Sequence, residues 1–326
     1  MTLYQSYLNL SRYRKDSTMP WFSKNSENMH NRFDGLAVSV EDLIAQQRYL
    51  PYLSLQPNKL TSNRAGDVKS AFKGRGMEFE EVRAYNFSDD IRDIDWRVTA
   101  RKSEPYTKIF NEEKDREIVV FLDLSATMVF GTRNELKSVT ASKLASLIGW
   151  ITVRNKDRFG LLIYDGKQTT YFKPQNNFTN LMYMFNQIAL KSREILQYGA
   201  LGDMSEAFDV LQYSQKGKGT VFILSDFYHI DTEKFKKIAV LARKHQVYFV
   251  NIFDVLEEVA PQEGTYAAQY NDSKLVFDTS SEDFRNQYQR YFKNNRENIK
   301  KNCQKFLCRY LEIRTDIPIF KQLSQI

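Results

Sequence analysis

The sequence has few of the residues that most often carry catalysis or metal binding. Its 326 residues include only two cysteines and three histidines. The thiols, Cys303 and Cys308, lie five residues apart and have no further cysteine or histidine at zinc-ligand spacing. This composition argues against a zinc site and is typical of a reducing compartment.

Long apolar runs are also missing. The longest stretch of low charge, Val139 to Val153, contains Lys143 and is too short to span a bilayer, so it predicts a buried helix. The first residues lack both the basic start and the apolar block of a secretory signal. We therefore expect a cytoplasmic protein, and a peripheral association with the membrane stays open.

The motifs of common enzymes are absent as well. The chain has no Gly-x-Ser-x-Gly elbow and no His-Glu-x-x-His motif. The segment GRGMEF, residues 74–79, lacks the lysine and the hydroxyl residue of a nucleotide-binding loop. We expect a protein without enzymatic activity. A metal-dependent hydrolase is the alternative, which a third carboxylate near the two acids discussed below would favour.

From Glu117 onward, strand patterns alternate with helical patterns. Four strand segments are apolar almost throughout, which is typical of strands covered on both faces: VVFLDL (119–124), LLIY (161–164), VFIL (221–224) and VYFVNI (247–252). The alternation predicts an α/β fold with a mostly parallel, doubly wound sheet.

The rest of the chain supplies the predicted domain boundaries. Residues 1–34 form a polar N-terminal tail, residues 35–115 an N-terminal segment, and residues 116–326 the sheet domain. In the N-terminal segment, Ser39 and Asp42 predict the start of a short helix. Residues 105–124 predict two strands joined as a hairpin by the polar turn at 113–116.

Two predicted strands end in oxygen-bearing side chains. Asp123, Ser125 and Thr127 follow the first strand of the sheet domain, and Ser225 and Asp226 follow a later one. In an open α/β sheet, the carboxyl ends of the strands surround the ligand site. These hard oxygens suit Mg²⁺, whereas the purely structural alternative is that Asp123 and Asp226 cap the helices that follow.

These residues carry a resemblance to known families. The Asp-x-Ser-x-Thr loop at Asp123 to Thr127 looks like that of a von Willebrand factor A domain with a metal-ion-dependent adhesion site. The segment from Gly74 to Glu117 resembles the characteristic block of the bacterial family called domain of unknown function 58. The resemblance covers residues 35–326.

The resemblance implies a partner and a function. Members of the family are often encoded beside MoxR-type AAA+ ATPases and are thought to act as their adaptors, in the maturation of proteins or metalloenzymes. It also implies a metal site at Asp123, Ser125, Thr127 and Asp226, to which a partner adds a carboxylate. We therefore expect a non-enzymatic adaptor with a MoxR-type ATPase as its partner.

The metal site departs from the family pattern at one position. In the turn 199–208, Gly202 stands where the motif has a threonine, and Ser205 lies in the first turn of the next helix. The adhesion site is therefore degenerate. We expect only weak Mg²⁺ binding by the isolated protein, improved by Gly202→Thr.

The block upstream of the sheet domain is rich in both charges. We predict an internal network of arginine and carboxylate side chains with Trp96 and Tyr85 packed beneath it. The alternative is a surface that contacts a partner. The candidate residues are Arg75, Glu78, Arg83, Asp90, Arg92, Asp95, Trp96, Arg97 and Arg101.

The net charge of +7 keeps a nucleic-acid-binding module as a further alternative. The densest basic run lies in a predicted helix, where it usually forms a solvated face. An exposed, acid-free cluster would favour nucleic acid, although Glu297 within the run weighs against it. The basic residues concerned are Arg285, Arg290, Lys293, Arg296, Lys300 and Lys301.

Overall fold

A computed structural model describes residues 35–53, 77–87, 89–112, 116–214, 218–270 and 273–323. The predicted polar tail, residues 1–34, lies outside the described residues. The chain divides into two compact units, one formed by Met1–Ser54 with Arg116–Ile326 and the other by Leu55–Asp115. The described residues 35–53 thus belong to the same unit as the sheet domain. The sequence instead placed them in a separate N-terminal segment that ends at residue 115.

The described residues form ten strands and eight α-helices, numbered here in chain order. The strands are β1 (Met77–Ala84), β2 (Tyr106–Glu112), β3 (Glu117–Asp123), β4 (Arg158–Tyr164), β5 (Thr169–Gln175), β6 (Gly219–Ser225), β7 (Gln246–Phe253), β8 (Thr265–Tyr270), β9 (Ser273–Asp278) and β10 (Arg309–Arg314). The helices are α1 (Val40–Ala45), α2 (Trp96–Lys102), α3 (Lys137–Arg154), α4 (Phe178–Tyr198), α5 (Ser205–Ser214), α6 (Thr232–Ala242), α7 (Glu282–Lys305) and α8 (Ile319–Leu323).

The central sheet of the first unit has six strands in the order β10-β7-β6-β3-β4-β5. All neighbours pair in parallel except β5, which is antiparallel to β4 and forms one edge. The four apolar segments found in the sequence lie in β3, β4, β6 and β7, the interior strands. This arrangement confirms the predicted α/β fold with a mostly parallel, doubly wound sheet.

The predicted hairpin between residues 105 and 124 is wrong. Strand β2 pairs with β1 in antiparallel register, from Met77 opposite Glu112 to Ala84 opposite Tyr106. Strand β3 has both of its edges occupied by β4 and β6. Because a strand has only two hydrogen-bonding edges, β3 has none left for β2. A second antiparallel pair, β8–β9, was not predicted from the sequence.

Helix α1 begins as predicted, with a capping box between Ser39 and Asp42. Two long-range hydrogen bonds fix this segment to the first unit: Trp150 Nε1 donates to Leu43 O at 3.1 Å, and Val38 N donates to Ser192 Oγ at 3.1 Å. Helix α3 is buried along most of its length, as its low charge predicted. In the described parts of the chain, no helix is both long and apolar enough to cross a membrane.

Candidate functional site

Three neighbouring strands place acids at one edge of the sheet. Strands β3, β6 and β7 run parallel and side by side, so their carboxyl ends lie together. Asp123 ends β3, Asp226 follows β6, and Asp254 follows β7; all three are buried. Asp123 and Asp226 were predicted from the sequence, whereas Asp254 was not. We call this cluster the strand-end site.

Asp123 is held entirely by protein donors. Its Oδ1 accepts a hydrogen bond from Ser125 N at 2.9 Å, and its Oδ2 accepts one from Ser225 Oγ at 2.6 Å. The hydroxyls of Ser125 and Thr127 lie 3.3 Å apart and bond to each other. Burial, helped by the charge of Asp226, raises the pKa of Asp123 to about 6, although the serine donors oppose the rise.

Asp226 is paired with a buried lysine. Lys137 Nζ lies 2.8 Å from Asp226 Oδ2 and 2.8 Å from Glu257 Oε1, and all three side chains are at most 2% exposed. Burial alone would lower the pKa of Lys137, but the two carboxylates raise it above its usual value. Burial raises the pKa of Glu257, and Lys137 opposes that rise.

Asp254 organises the loops around this pair. Its carboxylate accepts hydrogen bonds from Thr132 N, Thr132 Oγ1, Leu256 N and Thr315 Oγ1. Its backbone N donates to Glu257 Oε2 at 2.8 Å, which completes a capping box around a short 3₁₀ turn. This box orients Glu257 so that its other oxygen faces Lys137.

The capping alternative for the two predicted acids is not what the structure shows. Helix α3 begins after Leu136, which makes no side-chain cap, and α6 is capped by Asp231. Asp123 and Asp226 instead accept hydrogen bonds from the backbone two residues onward, within their own loops.

The contacts of the strand-end site do not fit a Mg²⁺ ion bound by all four predicted ligands. Asp226 already forms an ion pair with Lys137, and both carboxylate oxygens of Asp123 already accept hydrogen bonds from protein donors. Among the described residues, no group of three or more His, Cys, Asp and Glu side chains has metal-binding geometry. Mg²⁺ binding therefore stays a prediction.

The turn at residues 199–208 adds no hydroxyl ligand to the four predicted metal ligands. Asp203 is 69% exposed and accepts hydrogen bonds from Ser205 N and Ser205 Oγ, so this hydroxyl is engaged within the loop. A Cβ added at Gly202 would lie 2.3 Å from Gly166 O. The backbone therefore leaves no room for the threonine of the motif.

The charged block in the second unit forms separate ion pairs and not the continuous network that was predicted. Arg83 pairs with Asp89 at 2.6 Å, and Arg92 with Asp90 at 3.3 Å. Asp95 caps α2 by accepting from Arg97 N and Val98 N. Arg75 and the Glu78 side chain lie outside what the structure describes.

Trp96 departs most from the prediction. Its side chain is 67% exposed and is not packed beneath the charges, and Ile91 is 65% exposed. Arg97 and Arg101 are also exposed, and neither forms an ion pair with any side chain that the structure describes. The exposed residues Trp96, Arg97, Ala100 and Arg101 lie at helical spacing on one side of α2. We call this set the Trp96 face.

The basic run of α7 does not form the acid-free face that would favour nucleic acid. Arg285 pairs with Glu263 at 3.2 Å, and Arg296 lies over the Phe253 ring with Glu258 3.8 Å away. The exposed Lys293 is four residues from the exposed Glu297, on the same side of the helix.

Three solved structures are similar in fold. BatB from Bacteroides thetaiotaomicron is 13% identical and covers 64% of this chain and 96% of its own, with a TM-score of 0.40. An aerotolerance-related membrane protein from Bacteroides fragilis is 11% identical and covers 64% and 97%, with a TM-score of 0.41. The SpRpn10 VWA domain is 10% identical and covers 64% and 94%, with a TM-score of 0.35.

Sequence relatives cover a similar share of the chain. Uncharacterized proteins of Mycobacterium tuberculosis and Mycobacterium bovis are each 28% identical over 218 residues, 67% of this chain and 68% of theirs. Residues 81–298, more than half of the chain, match the family described as "Protein of unknown function DUF58". The protein therefore belongs to the DUF58 family.

Proposed function

We propose that this protein is a non-enzymatic adaptor that binds a partner protein through the Trp96 face. The observation that carries the proposal is the 67% exposure of Trp96 beside Arg97 and Arg101, two exposed arginines that pair with no described side chain. A large aromatic side chain left in water forgoes the stabilisation that burial would give. Tryptophan and arginine are also the residues that most often dominate the binding energy of protein interfaces.

The charges around Trp96 indicate the chemistry of the partner. Arg97 and Arg101 are one helical turn apart and face solvent, and the exposed Arg92 lies at the start of the same segment. A partner that buries Trp96 in an apolar pocket would meet these guanidinium groups with carboxylates around that pocket. The family resemblance makes a cytoplasmic MoxR-type AAA+ ATPase with such an acidic surface the proposed partner.

The alternative of a metal-dependent hydrolase has one supporting feature. A third carboxylate, that of Glu257, does lie beside Asp226, and such a carboxylate favours this alternative. However, the cation between the two acids is the Lys137 ammonium, which has no open coordination position for a water or a substrate. We therefore propose that the strand-end site is not a hydrolytic centre.

The proposal is tested by measuring binding between the purified protein and the MoxR-type ATPase of the same organism. Trp96→Ala is expected to weaken binding by about tenfold or more, as for an interface hot spot. Arg97→Glu is expected to slow association, more strongly at low salt. Tyr213→Ala, at an 81% exposed aromatic residue on α5, is the matched control and should bind like the wild type.

Circular dichroism confirms that each variant is folded before its binding is compared. If folded Trp96→Ala and Arg97→Glu bind the ATPase as tightly as the wild type, the Trp96 face is not the contact surface. If the wild-type protein does not bind the ATPase at all, the proposed partner is wrong.

A further inference from the structure

We propose that the Lys137 ammonium is the resident cation of the strand-end site and makes this site independent of divalent metal. Lys137 Nζ is 2.8 Å from a carboxylate oxygen of Asp226 and 2.8 Å from one of Glu257. None of the three side chains is more than 2% exposed. Charge-assisted hydrogen bonds of this length are the strong ones in proteins.

Aromatic rings complete the surroundings of the ammonium. Lys137 Nζ lies 5.6 Å from the centre of the Phe130 ring and 5.3 Å from that of Tyr228. Ring faces attract a cation at such distances, and more strongly where water is excluded. The cation thus has carboxylates and aromatic rings around it, which is a site built for a fixed positive charge.

The position of Lys137 in its helix supports the same inference. Lys137 is the first residue of α3, where the helix dipole disfavours a positive charge. It is also completely buried, which disfavours the charge further. The two carboxylates offset both effects only because β6 and the turn after β7 bring them to the same point. Such an arrangement holds one cation at one place.

A divalent ion would have little to bind while Lys137 is in place. A metal on Asp226 would stand close to the ammonium, and the two positive charges would repel each other. Apart from Asp123, whose oxygens both accept hydrogen bonds, the predicted ligands that remain are the hydroxyls of Ser125 and Thr127. Neutral hydroxyls alone are weak ligands for a hard cation. The loops around the site therefore keep the same charge balance at any Mg²⁺ concentration.

The first test measures metal binding by the wild-type protein. Calorimetric titration with Mg²⁺, and with Mn²⁺ as a spectroscopic probe, is expected to show no saturable site. Adding either metal or EDTA should leave the midpoint of thermal unfolding unchanged. Saturable binding of one ion per chain that is lost in Asp123→Ala would overturn the proposal.

The second test removes the lysine. Lys137→Ala leaves Asp226 and Glu257 without their cation, so its unfolding midpoint should fall by several degrees and millimolar Mn²⁺ should restore part of the loss. The matched control is Lys143→Ala on the same helix, which removes a half-buried pair with Glu135 and should gain nothing from Mn²⁺. Equal responses of the two variants to Mn²⁺ would contradict the proposal.

A third variant covers the case in which Lys137→Ala does not fold. The combination Lys137→Met, Asp226→Asn and Glu257→Gln removes all three charges while keeping the side-chain volumes similar. It should fold and, like the wild type, show no response to Mn²⁺, because neither a cation nor a pair of free acids remains. Stabilisation of this neutral variant by Mn²⁺ would show that a metal binds elsewhere in the site and would overturn the proposal.

Discussion

The hydroxyls of Thr132 and Thr315 donate hydrogen bonds to the same carboxylate, that of Asp254. Thr132 precedes α3, and Thr315 follows β10. Strand β10 forms one edge of the central sheet, and β5 forms the other. Asp254 is completely buried between the two threonines. A single acid thus joins the loop after β3 to the C-terminal part of the chain.

Replacing this acid is expected to destabilise the sheet unit. Asp254→Ala leaves the hydroxyls of Thr132 and Thr315 and two backbone N–H groups without their acceptor. Buried donors without a partner cost about 1–3 kcal/mol each, so the free energy of unfolding should fall by about 3 kcal/mol or more. Urea denaturation measures the change. Asp278→Ala, at an exposed acid, is the control, and equal effects of the two substitutions would contradict the assigned role.

Leu307 offers a stabilising substitution. This residue follows the end of α7 with φ of 57° and is 89% exposed. A left-handed conformation costs a residue with a side chain about 1–2 kcal/mol, and glycine avoids this cost. Leu307→Gly should therefore raise the free energy of unfolding by about 1 kcal/mol. Leu307→Ala keeps the strain and should not; equal stabilisation by both would assign the gain to the lost apolar surface.

The two thiols are expected to be unreactive in the folded protein. Cys303 and Cys308 are both free and buried. Burial raises the pKa of Cys303 to about 12 and that of Cys308 to about 11. At pH 8 almost no thiolate is present, so a disulfide reagent should react slowly until urea unfolds the chain. Rapid reaction of either thiol in the native protein would show that the α7–β10 junction opens readily.

Restoring the motif threonine at Gly202 is expected to fail. A Cβ at this position would lie 2.3 Å from Gly166 O and 3.1 Å from the Tyr164 hydroxyl. Because the first contact is with backbone, the loop must shift to accept it. Both Gly202→Thr and Gly202→Ala should lower the unfolding midpoint. Unchanged stability of Gly202→Thr, together with new Mg²⁺ binding, would support the sequence-based expectation instead.

The interior strands were predictable because a strand that is buried on both faces has a nearly continuous run of apolar residues. Segments such as 119–122 and 221–224 are apolar at successive positions, a pattern typical of strands that are covered on both faces. The partner of β2 was not predictable in the same way. A polar turn joins β2 to β3 in the chain, but the pairing of β3 is decided by β4 and β6, which follow later.

The sequence predicted two acids of the strand-end site, but it did not predict the lysine that pairs with one of them. Asp123 and Asp226 stand at strand ends, where side chains converge. Lys137 looks like an ordinary lysine in a helical pattern, and its partner Glu257 is 120 residues away. One signal was available: a lysine in the first turn of a helix is electrostatically unfavourable, which suggests a compensating acid. The spacing of Asp254 and Glu257 also predicts a capping box.

The exposure of Trp96 could not be predicted from the sequence. A tryptophan among charges predicts a packed ring, because most aromatic side chains are buried. Whether it is buried depends on the element that covers it, and α2 has only seven residues with which to bury one side. The exposed side then contains Trp96, which no local pattern distinguishes from a core residue.

Helix α1 belongs to the sheet unit although the second unit follows it in the chain. Its contacts reach across 107 residues, from Leu43 to Trp150, and 154 residues, from Val38 to Ser192. During synthesis at the ribosome, α1 therefore emerges well before α3 and α4, which bury it. The apolar side chain of Leu43, and that of Val38 just before the helix, stay exposed to water until α3 and α4 have been synthesised. Until those helices have been made, these apolar side chains lack the surfaces that bury them and are accessible to chaperones.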